Sequence, residues 1–153
     1  MVAEFQPTHF IAESGSTLIL TSSNGISVPN PGVDTLGNIR LTGSRSFASG
    51  INYNFTKSDG TSISRFGTSF GTEITGINNL TINNPVGALM NASNVTVNGT
   101  LALVAGKLTT GTYKITAAAV TKTDTSWVIG NLEKAVATGA TSVTYEVGAD
   151  ATN

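Results

Sequence analysis

The sequence contains no cysteine, which excludes disulfide bonds and thiol chemistry. Only 11% of its residues are charged, the net charge is −1, and the basic residues are scattered singly. Nucleic-acid binding depends on a concentrated positive patch, so this composition argues against a nucleic-acid partner. No apolar run approaches the roughly 18 residues of a transmembrane helix, which argues against membrane insertion.

Catalytic residue types are equally sparse. His9 is the sole histidine, it lies near one terminus, and it has no recognisable Ser–His–Asp context. The acidic residues, such as Asp34 and Asp124, stand mostly alone beside turn residues, where Asp accepts local backbone hydrogen bonds. Acid–base or metal-assisted chemistry needs clustered groups, so we expect no catalytic residues, no metal site and no cofactor.

What the sequence has in abundance is Thr, Ser, Asn and Gly, which together make 70 of its 153 residues. Thr favours strands, while Gly and Asn supply the positive-φ positions that tight turns require. The remaining 39% of hydrophobic residues alternate with polar ones, which is typical of a folded chain. This composition predicts an all-β protein of many short strands and many turns.

The spacing of these strands indicates how they are arranged. Residues 80–83 and 95–98 share one apolar–polar alternation, and further short apolar segments follow at 101–103, 108 and 113–116. Gaps of six or seven residues are too tight for ordinary hairpins and suit coils stacked in parallel. We therefore predict a right-handed parallel β-helix (β-solenoid) with irregular loops, and keep a β-sandwich as the alternative. Its core is predicted to comprise Leu18, Leu20, Leu80, Ile82, Val95, Val97, Leu101, Leu103, Leu108 and Ile115.

A longer self-similarity runs along the chain. Residues 17–21, 37–39 and 51–55 recur in the same order at 112–116, 130–132 and 143–147, which are offsets of 92 to 95 residues. We interpret residues 1–153 as a single solenoid segment. Residues 17–55 then resemble 112–147, and the second copy is expected to be truncated at the C-terminus.

These motifs resemble the β-solenoid repeats of large cell-surface and secreted proteins of Bacteroidetes-type bacteria, including adhesin-like proteins. The segments that carry the resemblance are 78–84, 95–103, 106–111, 127–132 and 145–148. The resemblance implies an extracellular or outer-surface location, with the parent's signal sequence absent from this chain. It also implies a structural or adhesive role as a stalk or attachment segment. Neighbouring repeats of the same polypeptide would then be its partners, with surface glycans as further candidates.

Carbohydrate binding is the activity for which the sequence offers candidates. Sugar sites combine an aromatic platform with amide and hydroxyl groups. Trp127 is the sole tryptophan, Asn131 follows it closely, and Tyr53 and Tyr145 occupy equivalent places in the proposed repeat. The alternatives are a polysaccharide-binding or polysaccharide-processing β-helix and, secondly, a phage fibre segment, which would be trimeric.

Overall fold

The computed structural model describes residues 9–26, 37–39, 44–57, 62–66, 70, 73–140 and 142–149. These residues form strands and turns and contain no helix, so none of them forms a helix able to cross a bilayer. The strands are β1 (His9–Ala12), β2 (Thr17–Leu20), β3 (Ser44–Phe47), β4 (Ile51–Thr56), β5 (Ser64–Arg65), β6 (Ile77–Asn83), β7 (Ala88–Leu89), β8 (Val95–Ala105), β9 (Leu108–Lys122) and β10 (Val128–Lys134).

Every pair of named strands is parallel, so the described residues form an all-β structure of parallel strands in a curled sheet. We call the succession β2–β4–β6–β8–β9–β10 the long face, and the succession β5–β7–β9–β10 the short face. β9 and β10 belong to both faces, because their first residues pair on the short face and their later residues on the long one. The chain turns between the faces near Gly111 and Gly130, both at positive φ, so the sheet is curled rather than flat.

The step between paired strands shortens along the chain. Leu20 pairs with Phe55, Phe55 with Ile82 and Ile82 with Leu103, which are steps of 35, 27 and 21 residues. Later partners lie 17 to 20 residues apart, as for Leu132 with Ile115 and Val128 with Leu108. The similarity of 80–83 to 95–98 is therefore not the structural register. The 92–95-residue repeat stays a prediction, and part of its first copy lies outside the described residues.

The predicted core is largely confirmed. Nine of its ten members are buried, at most 4% exposed, and the tenth, Leu18, is partly buried. The prediction missed the aromatic residues of the earlier, longer coils. Phe55 stacks on Phe66 with ring centroids 4.7 Å apart, and Phe70 contacts both rings. The bulky rings lie where 27 or 35 residues separate paired positions, whereas Leu, Ile and Val fill the core where the separation is 17 to 21 residues.

Polar side chains hold the corners of adjacent coils together. Asn78 and Asn79 both donate to Asn52 Oδ1, at 3.1 and 2.8 Å, and Asn79 Oδ1 accepts from the backbone N–H of Thr100 at 2.9 Å. Asn84 is fully buried and donates to Ser62 O, Ser64 Oγ and Gly87 O, at 2.9 to 3.0 Å. Buried amides in such positions satisfy backbone groups that the turns leave unpaired.

Replacing Val97 with Asp tests the core assignment. Val97 is 1% exposed, and an uncompensated buried charge costs about 3 kcal/mol or more. We expect Val97→Asp to lower the urea midpoint sharply or to unfold the protein. Thr96→Asp, on the exposed side of the same strand, should stay close to wild type. Equal melting of the two variants would contradict the assignment.

The Asn84 corner yields a pH prediction. Asn84→Asp would place a buried carboxyl against two carbonyl oxygens, which raises its pKa above the unfolded value of about 3.9. A raised folded-state pKa means that stability is greatest below the unfolded pKa and is lost as the pH rises through the folded-state pKa. Thermal melting of Asn84→Asp should therefore fall from acidic to neutral pH relative to Asn83→Asp, whose side chain lies on the opposite side of the strand. The same pH dependence of thermal melting in both variants would contradict the predicted rise in the pKa of the carboxyl introduced at position 84.

Candidate ligand-binding groove

Tyr53 does not lie on the surface. It is 1% exposed on β4, and its ring meets Phe70 edge-on with centroids 5.2 Å apart. Burial raises the pKa of its hydroxyl well above the usual range, and that hydroxyl has no hydrogen-bond partner among the described residues. Tyr53 is therefore a core residue, and the structure removes it from the set of sugar contacts because no face of the ring meets solvent.

Asn131 is exposed on β10, but its groups connect neighbouring coils. Its backbone N–H donates to Thr110 Oγ1 at 2.8 Å, and Nδ2 donates to Tyr113 O at 3.0 Å and Gly111 O at 3.4 Å. These bonds stabilise the bend that β9 and β10 share, where the pairing register shifts between Ile129 and Asn131. The amide thus has a structural role in the corner.

Trp127 lies half-buried in the turn that precedes β10. Its Nε1 donates to Ala149 O at 3.1 Å, and the ammonium of Lys107 sits 4.5 Å from the ring centroid. A cation in this position is attracted by the electron-rich ring face. Gly148 packs against the pyrrole ring so closely that a Cβ there would lie 2.7 Å from Nε1.

Tyr145 approaches the same end of the molecule. It is 42% exposed, and Lys134 Nζ lies 5.9 Å from its ring centroid. Lys134 also pairs with Glu146 at 2.9 Å, while Val147 forms a parallel bridge with Val128. Residues 142–149 therefore lie beside β10 and bring Trp127 and Tyr145 to the same edge of the sheet, whereas Tyr53 is buried on β4.

A groove of about 420 Å³ follows the turns between the long and short faces. Its walls come from three successive turns, which the sequence separates by about twenty residues and the stacking brings together. The volume falls in the range of small-ligand sites. The lining residues are Pro85, Val86, Val104, Ala105, Gly106, Lys107 and Thr125.

The chemistry of this groove is mixed. Val86 and Val104 are 43% and 46% exposed, so the wall presents apolar surface to solvent. Lys107 lines the groove and its ammonium lies over the Trp127 ring, while Thr125 contributes a hydroxyl to the lining. The groove lining thus combines apolar surface with a hydroxyl and a cation, and the Trp127 ring lies outside it on the other side of Lys107 Nζ.

The groove was not predicted from the sequence, and the candidate Trp127 stays a prediction that lies next to Lys107 and outside the groove lining. The lining residues of the groove are ordinary and far apart, and only the parallel register makes them neighbours. The sequence does contain one feature that indicates neighbouring turns, which is the pair of turn glycines Gly87 and Gly106. At both, a Cβ would collide with the backbone of a neighbouring turn, at 2.6 and 2.0 Å. Glycines that meet neighbouring backbone at this spacing mark stacked turns, and stacked turns form a continuous surface.

Three of the five described carboxylates form ion pairs. Glu73 pairs with the buried Arg45 at 2.6 Å, Glu133 with Lys114 at 2.6 Å, and Glu146 with Lys134. Within the part of the chain that the structure describes, no three His, Asp or Glu side chains come together as metal ligands would. His9 meets the hydroxyl of Ser44 on the neighbouring strand β3.

Comparison of the chain with known proteins yielded no matching family model, no matching curated protein and no matching solved structure.

The close contact between Gly148 and the Trp127 indole can be tested by tryptophan fluorescence. Gly148→Ala places a methyl group within 3 Å of the indole, so either the ring or residues 142–149 must move. Because Trp127 is the sole tryptophan, we expect a red-shifted emission and stronger quenching by iodide. Ser142→Ala, an exposed change in the same segment, is the control. An unchanged spectrum of Gly148→Ala would show that Gly148 does not pack on the indole.

Proposed function

We propose that this chain is a segment of right-handed parallel β-helix and serves as a structural and adhesive module of a large bacterial cell-surface or secreted protein. The observation that carries the proposal is the parallel pairing of strands at steps that settle near twenty residues. Right-handedness follows from the strong preference of parallel crossover connections for that hand. The proposed location is outside the cell, as a stalk or surface-attachment segment.

The physical advantage of such a module is stiffness without cross-links. Strands such as β6 and β8 pair on both sides, so their backbone groups bond to the coils before and after. The apolar ladder inside and the asparagine corners add contacts between the same coils. Repeats that contact only their neighbours form extended rods, and length is then obtained by adding coils. Such a rod suits a spacer between a cell and the surface that it contacts.

The adhesive part of the proposal rests on the groove. A glycan lying along the stacked turns would meet Val86 and Val104, with Lys107 and Trp127 at one end. A cation there favours acidic sugars, whose carboxylate it would pair with. This makes polysaccharide binding the second candidate function, and it is compatible with a structural role. Polysaccharide processing is less well supported, because three of the five described carboxylates, Glu73, Glu133 and Glu146, form ion pairs.

A glycan-array screen tests the adhesive proposal. We expect wild-type protein to bind glycans that carry uronic acids, and Lys107→Gln to lose at least about tenfold in affinity for them. Trp127→Ala should weaken binding to acidic and neutral glycans alike. Lys122→Gln, at an exposed lysine outside the groove, is the matched control for charge.

The outcomes separate the roles. Binding that survives both groove variants would place any glycan site elsewhere. No binding to any glycan would contradict the adhesive role and leave a spacer. Sedimentation of dilute protein also distinguishes a single rod from the trimer expected of a phage fibre.

A further inference from the structure

The groove exists because the middle one of its three turns is the shortest. Two rows of paired residues frame these turns, namely Ile82–Leu103–Lys122 on one side and Ala88–Leu108–Val128 on the other. Between the two rows the first turn has five residues (83–87), the middle turn has four (104–107) and the third turn has five (123–127). The middle turn is therefore recessed between two longer turns.

The recess forms a slot with a floor and two walls. Pro85 and Val86 of the first turn form one wall, Thr125 of the third turn forms the other, and residues 104–107 form the floor. Neighbouring parallel strands lie about 4.8 Å apart, so the backbones of the two walls are separated by about 10 Å. Once the atoms of both walls are allowed for, this width admits one extended chain.

Buried polar groups hold both walls in place. The N–H of Val86 donates to Oδ1 of the buried Asn84 at 3.1 Å, and in the third turn Thr123 Oγ1 bonds to Oγ of the fully buried Ser126 at 2.9 Å. In the floor, Gly106 packs so closely on the first turn that a Cβ would lie 2.0 Å from Asn84 O. A slot that is held in this way has its shape before a ligand arrives, so binding does not have to order it.

The chemistry of the floor changes along its length. Val104, which is 46% exposed, begins the floor on the side of the long face, and Lys107 ends it where the short face begins. These ends are three residues apart, a reach of up to about 10 Å. A ligand that covers Val104 and also pairs with Lys107 therefore needs more than one sugar ring. Asp124 belongs to the third turn but not to the lining, so Lys107 is the charged residue among those that line the slot.

Backbone groups of the turns bond to one another across the slot. The N–H of Asn84 donates to Ala105 O at 3.2 Å, and the N–H of Ala88 donates to Lys107 O at 2.8 Å. An extended peptide binds a sheet by adding hydrogen bonds to free backbone groups, and these groups are already paired. A sugar instead presents C–H groups to apolar side chains and its polar groups to side-chain partners, which the slot provides.

Building on the adhesive function proposed above, we propose that the slot binds a single chain of two or more linked acidic sugars. The sugar rings lie on Val86 and Val104, and the carboxylate of one ring pairs with the ammonium of Lys107. The ligand follows the middle turn from the long face to the short face. Chain length, and not only charge, then determines affinity.

Isothermal titration calorimetry with galacturonic acid, its linear dimer and its linear hexamer tests this. The dimer should bind at least about tenfold more tightly than the monomer, because it reaches both ends of the floor. One hexamer should bind per protein chain. Ala105→Phe fills the floor and Thr125→Phe narrows the slot from one wall, so each should weaken dimer binding at least about tenfold.

Ala119→Phe and Thr121→Phe are the matched controls, because both positions are exposed on β9 outside the lining, and they should bind as wild type does. Melting curves check that all four variants are folded. Equal affinity for monomer and dimer, or slot variants that bind the dimer as wild type does, would overturn the slot and leave the adhesive function in place. A tetraglutamate peptide that binds as tightly as the dimer would overturn the choice of a sugar. Absence of binding to every acidic sugar would overturn the slot and the adhesive function together.

Discussion

The structure depends on backbone hydrogen bonds that run from each parallel strand of the curled sheet to the next. Parallel pairing fixes which residues of neighbouring strands lie side by side. The bends and turns that connect the strands must therefore also lie beside one another. The alignment leaves the least space at the turns between strands. Gly106 adopts a φ of +76°, and a Cβ there would lie 2.0 Å from Asn84 O, so no larger side chain fits between those turns. Asn79 donates a side-chain hydrogen bond to Asn52 Oδ1 and so links the neighbouring strands β4 and β6.

Register also explains how the interior is filled. Since residues at one height stack on one another, inward positions form continuous ladders, such as Tyr53–Leu80–Leu101. Where the chain takes 27 or 35 residues between partners, the interior contains Phe55, Phe66 and Phe70. Where it takes 20, aliphatic side chains suffice. The groove has the same origin, because turns that are stacked in register place Val86 and Val104 side by side. Core, corners and candidate site are thus consequences of one pairing pattern.

The strands and most of the core were predictable from the sequence, because alternation between apolar and polar residues reports directly on which side faces inward. The same rule applies to Tyr53, because Ile51, Tyr53 and Phe55 are alternate residues of β4 and therefore share its buried side. Phe66 and Phe70 carry a weaker signal, because Phe70 stands among Gly, Ser and Thr and Phe66 lies between Arg65 and Gly67. The pairing steps were not predictable, because coil length varies and local similarity, as between 80–83 and 95–98, does not fix register. For the same reason the groove could not be predicted, because its lining residues are far apart in the sequence.

The central claim is that neighbouring strands of the long face are parallel and in the stated register, and nitroxide labels test it directly. The chain has no cysteine, so the double variant Thr81→Cys/Ala102→Cys carries labels on two paired, partly exposed positions alone. Adjacent strands lie about 4.8 Å apart, so strong dipolar broadening is predicted for this pair. The pair Thr81→Cys/Thr96→Cys, offset by about 15–20 Å along the strand direction, should broaden much less. Weak broadening in the first pair, or stronger broadening in the second, would contradict the stacked parallel arrangement.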